Sequence, residues 1–200
     1  MTLKIRDKWR QGGKAVSLAD NASAAAYASW QIALTATKNL HAQDFEYQND
    51  HQRIGVLREY LIFLSHIADR LAFEYMEVSD RKHFVNIFVT ESARQLQRNA
   101  EEILGAGNYR NELIELLIRR NQQYNQYPTK DGAPGYGMLR SFGENVQQWM
   151  GKSQKNRWAI EQVIEIDGPN AVNTLKQTIV RLLESAKDNK SGVVTRETTR

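Results

Sequence analysis

Four side chains in the middle of the chain have the types and spacing from which a site could be built: Glu59, His66, Asp69 and Glu91. At ~100° per residue, a helix through this stretch brings Glu59, His66 and Arg70 within about 40° of one another. Asp69 follows His66 by three positions, a spacing that shares a helix face. Glu91 belongs to the next helical stretch, and antiparallel packing is expected to bring it opposite His66. Imidazole and carboxylates together suit a divalent metal or a small polar ligand. The plainer expectation, a network of ion pairs and hydrogen bonds, weighs more, because charges three and four apart are routine helix partners. Asp80 and His83 are also three apart, but a helix start explains Asp80 and exposure suffices for His83.

Two further sets of residues suit contact with a partner. The first is an N-terminal arm, residues 1–14, in which Lys4, Arg6, Lys8 and Arg10 alternate with Leu3, Ile5 and Trp9. With Lys14, and against Asp7 alone, this arm holds the whole formal charge of +4. Phosphates or an anionic membrane surface would attract it, and Trp9 could stack or insert. The remainder is neutral and lacks the basic face expected of a nucleic-acid-binding domain. The second set is Arg119, Arg120, Tyr124 and Tyr127, at the end of a helix rich in amides. Arg and Tyr are common at interface hot spots, and the same residues can equally finish a helix and stack on the next loop. Trp30, Trp149 and Trp158 sit on apolar stripes and are expected in the core.

No local catalytic signature accompanies these residues. Gly12-Gly13-Lys14 lacks the first glycine and the Ser or Thr of a phosphate loop. There is no G-x-S-x-G elbow, no H-E-x-x-H, and no E-x-x-H pair of the kind that builds di-metal bundles. The chain contains no cysteine, which removes disulfides, thiolate metal sites and cysteine nucleophiles. No cofactor is specified. The pattern leans away from an enzyme, although a pair such as Glu59 and His66 can do acid–base work without a local motif.

These residues must be positioned by helices. Proline is absent before Pro128, which suits long uninterrupted helices, and no stretch alternates with period two. The spacing predicts an Ala-rich helix over 18–38, the longest helix over 50–78, and a partner over 81–104 capped by Ser79 or Asp80. Further helices are expected over 109–127, 138–150, 156–166 and from Pro169 to about 188. The longest is striped by Leu57, Tyr60, Leu61, Leu64, Ile67, Ala68, Leu71 and Tyr75, with Ile62 and Phe73 on its other side. A helix apolar on two faces is central or covered by a second subunit. Pro128–Gly137 is the clearest loop and the strongest candidate for mobility, and Asp167-Gly168-Pro169-Asn170 reads as a turn.

The expected architecture is all-α: a single-domain bundle or orthogonal array of about seven helices, with two long antiparallel helices at its centre. The helical domain covers 15–188, with 136–188 a candidate C-terminal subdomain, and a polar tail follows over 189–200. Neither a secretory leader nor an apolar run of membrane-spanning length is present, so a cytoplasmic protein is expected. The functional expectation is a non-enzymatic, self-associating helical interaction or scaffold protein. The alternatives are a metal- or small-ligand-binding bundle centred on His66, and a nucleic-acid or membrane-surface adaptor that uses the arm.

Overall fold

A computed structural model describes residues 16–43, 45–150 and 158–194. The arm, with Lys4, Arg6, Lys8, Trp9 and Arg10, lies outside the described residues, as does the end of the tail. Among the described residues the chain is all-α apart from one short hairpin, and no helix is long and apolar enough to cross a membrane.

Helix α1 (Leu18–Ala42) starts at a reciprocal cap, in which Ser17 Oγ accepts from the Asp20 N–H and the Asp20 carboxylate accepts from the Ser17 N–H. These bonds to the Ser17 side chain and backbone hold the Asp20 carboxyl below its ordinary range. Ala22, Ala25, Ala26 and Ala33 have no exposed surface. Side chains this small let α1 lie close against its neighbours. Helix α2 (Asp50–Tyr75) is capped by Asn49, which accepts from the Gln52 N–H. Helix α3 (Val78–Leu104) folds back along α2 and stops at Gly105. The corner between them comes earlier than the sequence predicts. Glu77 is the residue before α3, without a side-chain cap, so Ser79 and Asp80 fall inside the first turn.

Helix α2 is the axis of the molecule, packed by α1, α3, α4 (Tyr109–Tyr124), α5 (Tyr136–Met150) and α7 (Gly168–Val194). Tyr60, Leu61, Ile62, Phe63, Leu64, Ile67 and Leu71 have no exposed surface. Each buried aliphatic side chain contributes about 1.5–3 kcal/mol relative to exposure. Both apolar faces of α2 are thus covered within the chain as far as Leu71, whereas Phe73 and Tyr75 near its end are exposed. Met138, Phe142 and Met150 of α5 and Val172, Leu175 and Ile179 of α7 belong to the same core. Phe142 stacks on Phe63 at 4.1 Å between ring centres and meets Tyr60 edge-on at 4.9 Å.

Two stretches expected to be irregular take up regular secondary structure. Within Pro128–Gly137, strands β1 (Thr129–Lys130) and β2 (Ala133–Pro134) pair antiparallel, Lys130 opposite Ala133. Asp131 and Gly132 between them both have positive φ, 52° and 72°, the two-residue turn that Asp-Gly favours. This turn packs on α2, since a Cβ on Gly132 would lie 2.3 Å from Leu71 Cδ2.

The second is the Asp167–Asn170 stretch, which is not a turn. Helix α6 (Ala159–Gln162) runs into a π-helical turn over Val163–Asp167 and on into α7. Pro169 explains the widening. A proline inside a helix has no N–H to donate, and its ring crowds the carbonyl four residues earlier. The Gly168 N–H bonds instead to the Val163 carbonyl, five residues back. Only glycine fits there, because a Cβ would lie 2.6 Å from that carbonyl oxygen. The turn leaves Asp167 buried.

Candidate functional site

The four side chains singled out for metal binding do not converge. Glu59 pairs with Arg120, His66 Nδ1 lies 3.1 Å from Asn121 Oδ1, Asp69 pairs with Arg81, and Glu91 pairs with Arg94. Among the described residues no three His, Asp or Glu side chains come together as a metal site. The cause is the neighbour that α2 chooses for its polar strip. That neighbour is α4 rather than α3. Arg58 with Glu112, Glu59 with Arg120, His66 with Asn121 and Arg70 with Asn125 ascend both helices in step, so α4 runs parallel to α2. Asp69 instead reaches across the corner, where Arg81 donates from Nε and Nη2 at 2.8 and 2.7 Å.

The heart of this seam is Glu59, which has no exposed surface. Arg120 donates to both of its oxygens, at 2.8 and 3.1 Å, and Trp149 Nε1 donates to Oε1 at 3.0 Å. Trp149 lies flat enough on α2 that a Cβ on Gly55 would meet its ring at 2.2 Å, and the Arg58 guanidinium sits 4.7 Å over that ring. Asn145 donates to Gln123 and to the Tyr124 hydroxyl, both at 3.2 Å. Burial, followed by the charge of Glu59, pushes the Tyr124 phenol above its ordinary value. This is a three-helix clamp of α2, α4 and α5, with its charges already matched. Burial also pulls the His66 imidazole below its ordinary range, so it is neutral near pH 7.

The clamp uses two of the residues read as contact candidates. Arg120 and Tyr124 point inward, Tyr127 is half-buried against Gly137, and Arg119 is exposed. Of the three tryptophans expected in the core, Trp30 is buried and Trp149 half-buried, but Trp158 is 69% exposed.

An open concavity lies elsewhere, where the end of α1, the start of α2 and the end of α3 meet. It is a groove of about 460 Å³, within the range of small-molecule sites. Trp30, Leu34, Ile54 and Leu57 form its floor, and Lys38, His41, Asp50 and Arg53 stand at its rim. Arg53 is held by Asp50 at 2.8 Å, and His41 stacks on Tyr47, whose hydroxyl donates to the Thr37 carbonyl. Lys38 has no ionic partner among the described residues. Sequence reading missed this groove because its residues come from three helices and a loop and form no local motif. The helix expected over 18–38 also leaves out His41, which the structure places in the last turn of α1.

The chain matches no family model, and comparison with curated proteins and with solved structures gives no significant match.

Proposed function

We propose that this protein binds a small amphiphilic anion, with the apolar body in the α1–α2–α3 groove and the negative end at Lys38. The observation that supports this is an apolar floor with a single uncommitted rim charge, a cation, among the described residues. Apolar walls supply affinity, and a few placed polar groups supply orientation. This keeps the small-ligand reading of the bundle but moves it from His66 to Lys38.

A fluorescent apolar sulfonate such as anilinonaphthalene sulfonate, displaced by alkyl or aryl carboxylates, tests the reading. Saturable binding that raises the melting temperature is expected. Lys38→Glu should weaken it by about ten-fold while leaving the fold intact. Equal binding by wild type and Lys38→Glu would refute the assignment.

Self-association has one supporting feature. Phe73, Tyr75 and Val78, at the α2–α3 corner, are 61%, 48% and 66% exposed. Arg81 already covers one face of Phe73 at 5.1 Å. If the corner joins two copies, Val78→Ser should convert dimer to monomer in sedimentation. A wild type that stays monomeric at high concentration ends this reading.

A further inference from the structure

We propose that the cleft between α1 and the start of α7 is a binding site for a small organic ammonium ion, with Asp167 as its counter-charge. The cleft has a volume of about 280 Å³ and is separate from the Lys38 groove. Asp167 lines it and is only 5% exposed. Among the described residues its one hydrogen bond is a long one, from Gln162 at 3.5 Å, and no cation pairs with it.

A buried carboxylate without a cation is costly, and a bound cation offsets that cost. The rest of the lining suits such a guest. Gln31, Thr35 and Asn39 come from α1, and Asn170 and Thr174 from α7. All five are neutral hydrogen-bonding groups, able to hold the polar remainder of an amine without competing for its charge. Ile32, Ala36 and Ala171 give the base an apolar surface for a short carbon chain.

Two independent features mark the place as more than a surface dent. Asp167 is the last residue of the π-helical turn that Pro169 and Gly168 impose. Such turns occur frequently at functional sites. The Tyr60 hydroxyl is fully buried and has no hydrogen-bond partner among the described residues, and its phenol is pushed up first by burial and then by the Asp167 charge. Among the described residues, then, no cation reaches this carboxylate. Burial lifts the Asp167 carboxyl above its ordinary range, a cost of carrying charge that a bound cation would offset.

Titration of the full chain with ethanolamine above neutral pH, followed by amide shifts of α1 and α7, tests the site. Saturable shifts centred on Asn39, Asn170 and Ala171 are expected, with none from ethylene glycol, the uncharged analogue. Asp167→Asn keeps the side-chain shape and should weaken ethanolamine by about ten-fold or more. Thr35→Lys, on the exposed side of α1, places a tethered ammonium in the cleft and should block the titration. Lys38→Glu should leave it unchanged, which separates this site from the groove. The proposal is overturned if ethanolamine causes no saturable shifts, if Asp167→Asn and Thr35→Lys bind it as wild type does, or if sodium chloride reproduces the shifts at equal ionic strength.

Discussion

Arg120 reaches across from α4 to grip both carboxylate oxygens of Glu59 on α2, and the carboxylate it holds is wholly buried. Removing one member of such a pair strands the other in a medium that solvates it poorly. Glu59→Met should therefore cost about 3–5 kcal/mol of unfolding free energy. Removing both charges strands neither, so Glu59→Met with Arg120→Met should recover most of that loss. Urea unfolding of the single and double variants measures the difference. A double variant as unstable as the sum of the singles would show that the pair contributes through packing rather than charge.

Gly55 should behave against its helix propensity. Alanine in a helix interior is favoured over glycine by about 1 kcal/mol. Here a methyl group would sit 2.2 Å from the Trp149 ring. The ring cannot retreat without giving up its bond to Glu59 and its contact with Arg58. Gly55→Ala should accordingly destabilise by about 1–3 kcal/mol. In a Trp149→Leu background the same change should become neutral or stabilising, a non-additivity that a double-mutant cycle reads directly.

The helices were legible because their stripes are local. Leu57, Tyr60, Leu61 and Leu64 repeat at three and four, and they are buried as that spacing predicts. The polar strip of Glu59, His66 and Arg70 was legible too, but its partner was not. Whether Asn121 or Glu91 faces His66 depends on which helix lies beside α2, and that is set by packing among non-local elements. Trp158 shows the same limit from the other side. It reads as core from its apolar stripe, yet it stands exposed beside Ile166, itself 48% exposed. At Pro169 the residues suggest a turn and a new helix start, whereas the helix runs on through it. A proline can end a helix or widen it, and burial of Val163, Ile164 and Asp167 on the core side keeps this one continuous.

His66 should make stability fall on mild acidification. Burial, the leading cause, holds its folded value below the ordinary 6.5, and Arg70 acts in the same direction, while the bond to Asn121 and the charge of Asp69 oppose it. Between the folded value and 6.5 the unfolded chain binds the proton more readily, so stability rises with pH there. The contribution is complete above 6.5 and fades as pH drops through the window. Melting temperatures of wild type and His66→Gln, recorded from pH 7.5 down to about 5, should diverge on the alkaline side and approach each other on the acid side. Parallel curves would mean that the imidazole titrates alike in both states.

Asp167 has the opposite sign. Its folded value is raised above the ordinary 3.8, chiefly by burial, with Gln162 opposing. Between 3.8 and that raised value the folded chain holds the proton more tightly, so this carboxyl's contribution to stability grows as pH falls. Tyr47 and Tyr60, the titratable groups whose fields it shares, are both raised and stay neutral throughout. At neutral pH the charge is a net cost, and Asp167→Asn should melt at a higher temperature than wild type. The gap should close on acidification toward pH 4. Restoring the missing N–H with Pro169→Ala tests whether the wide turn creates this environment. If the helix then closes to ordinary α geometry, Asp167 turns outward and its carboxyl resonance titrates near 3.8. A titration unchanged from wild type would instead assign the burial to the packing of Val163 and Ile164 alone.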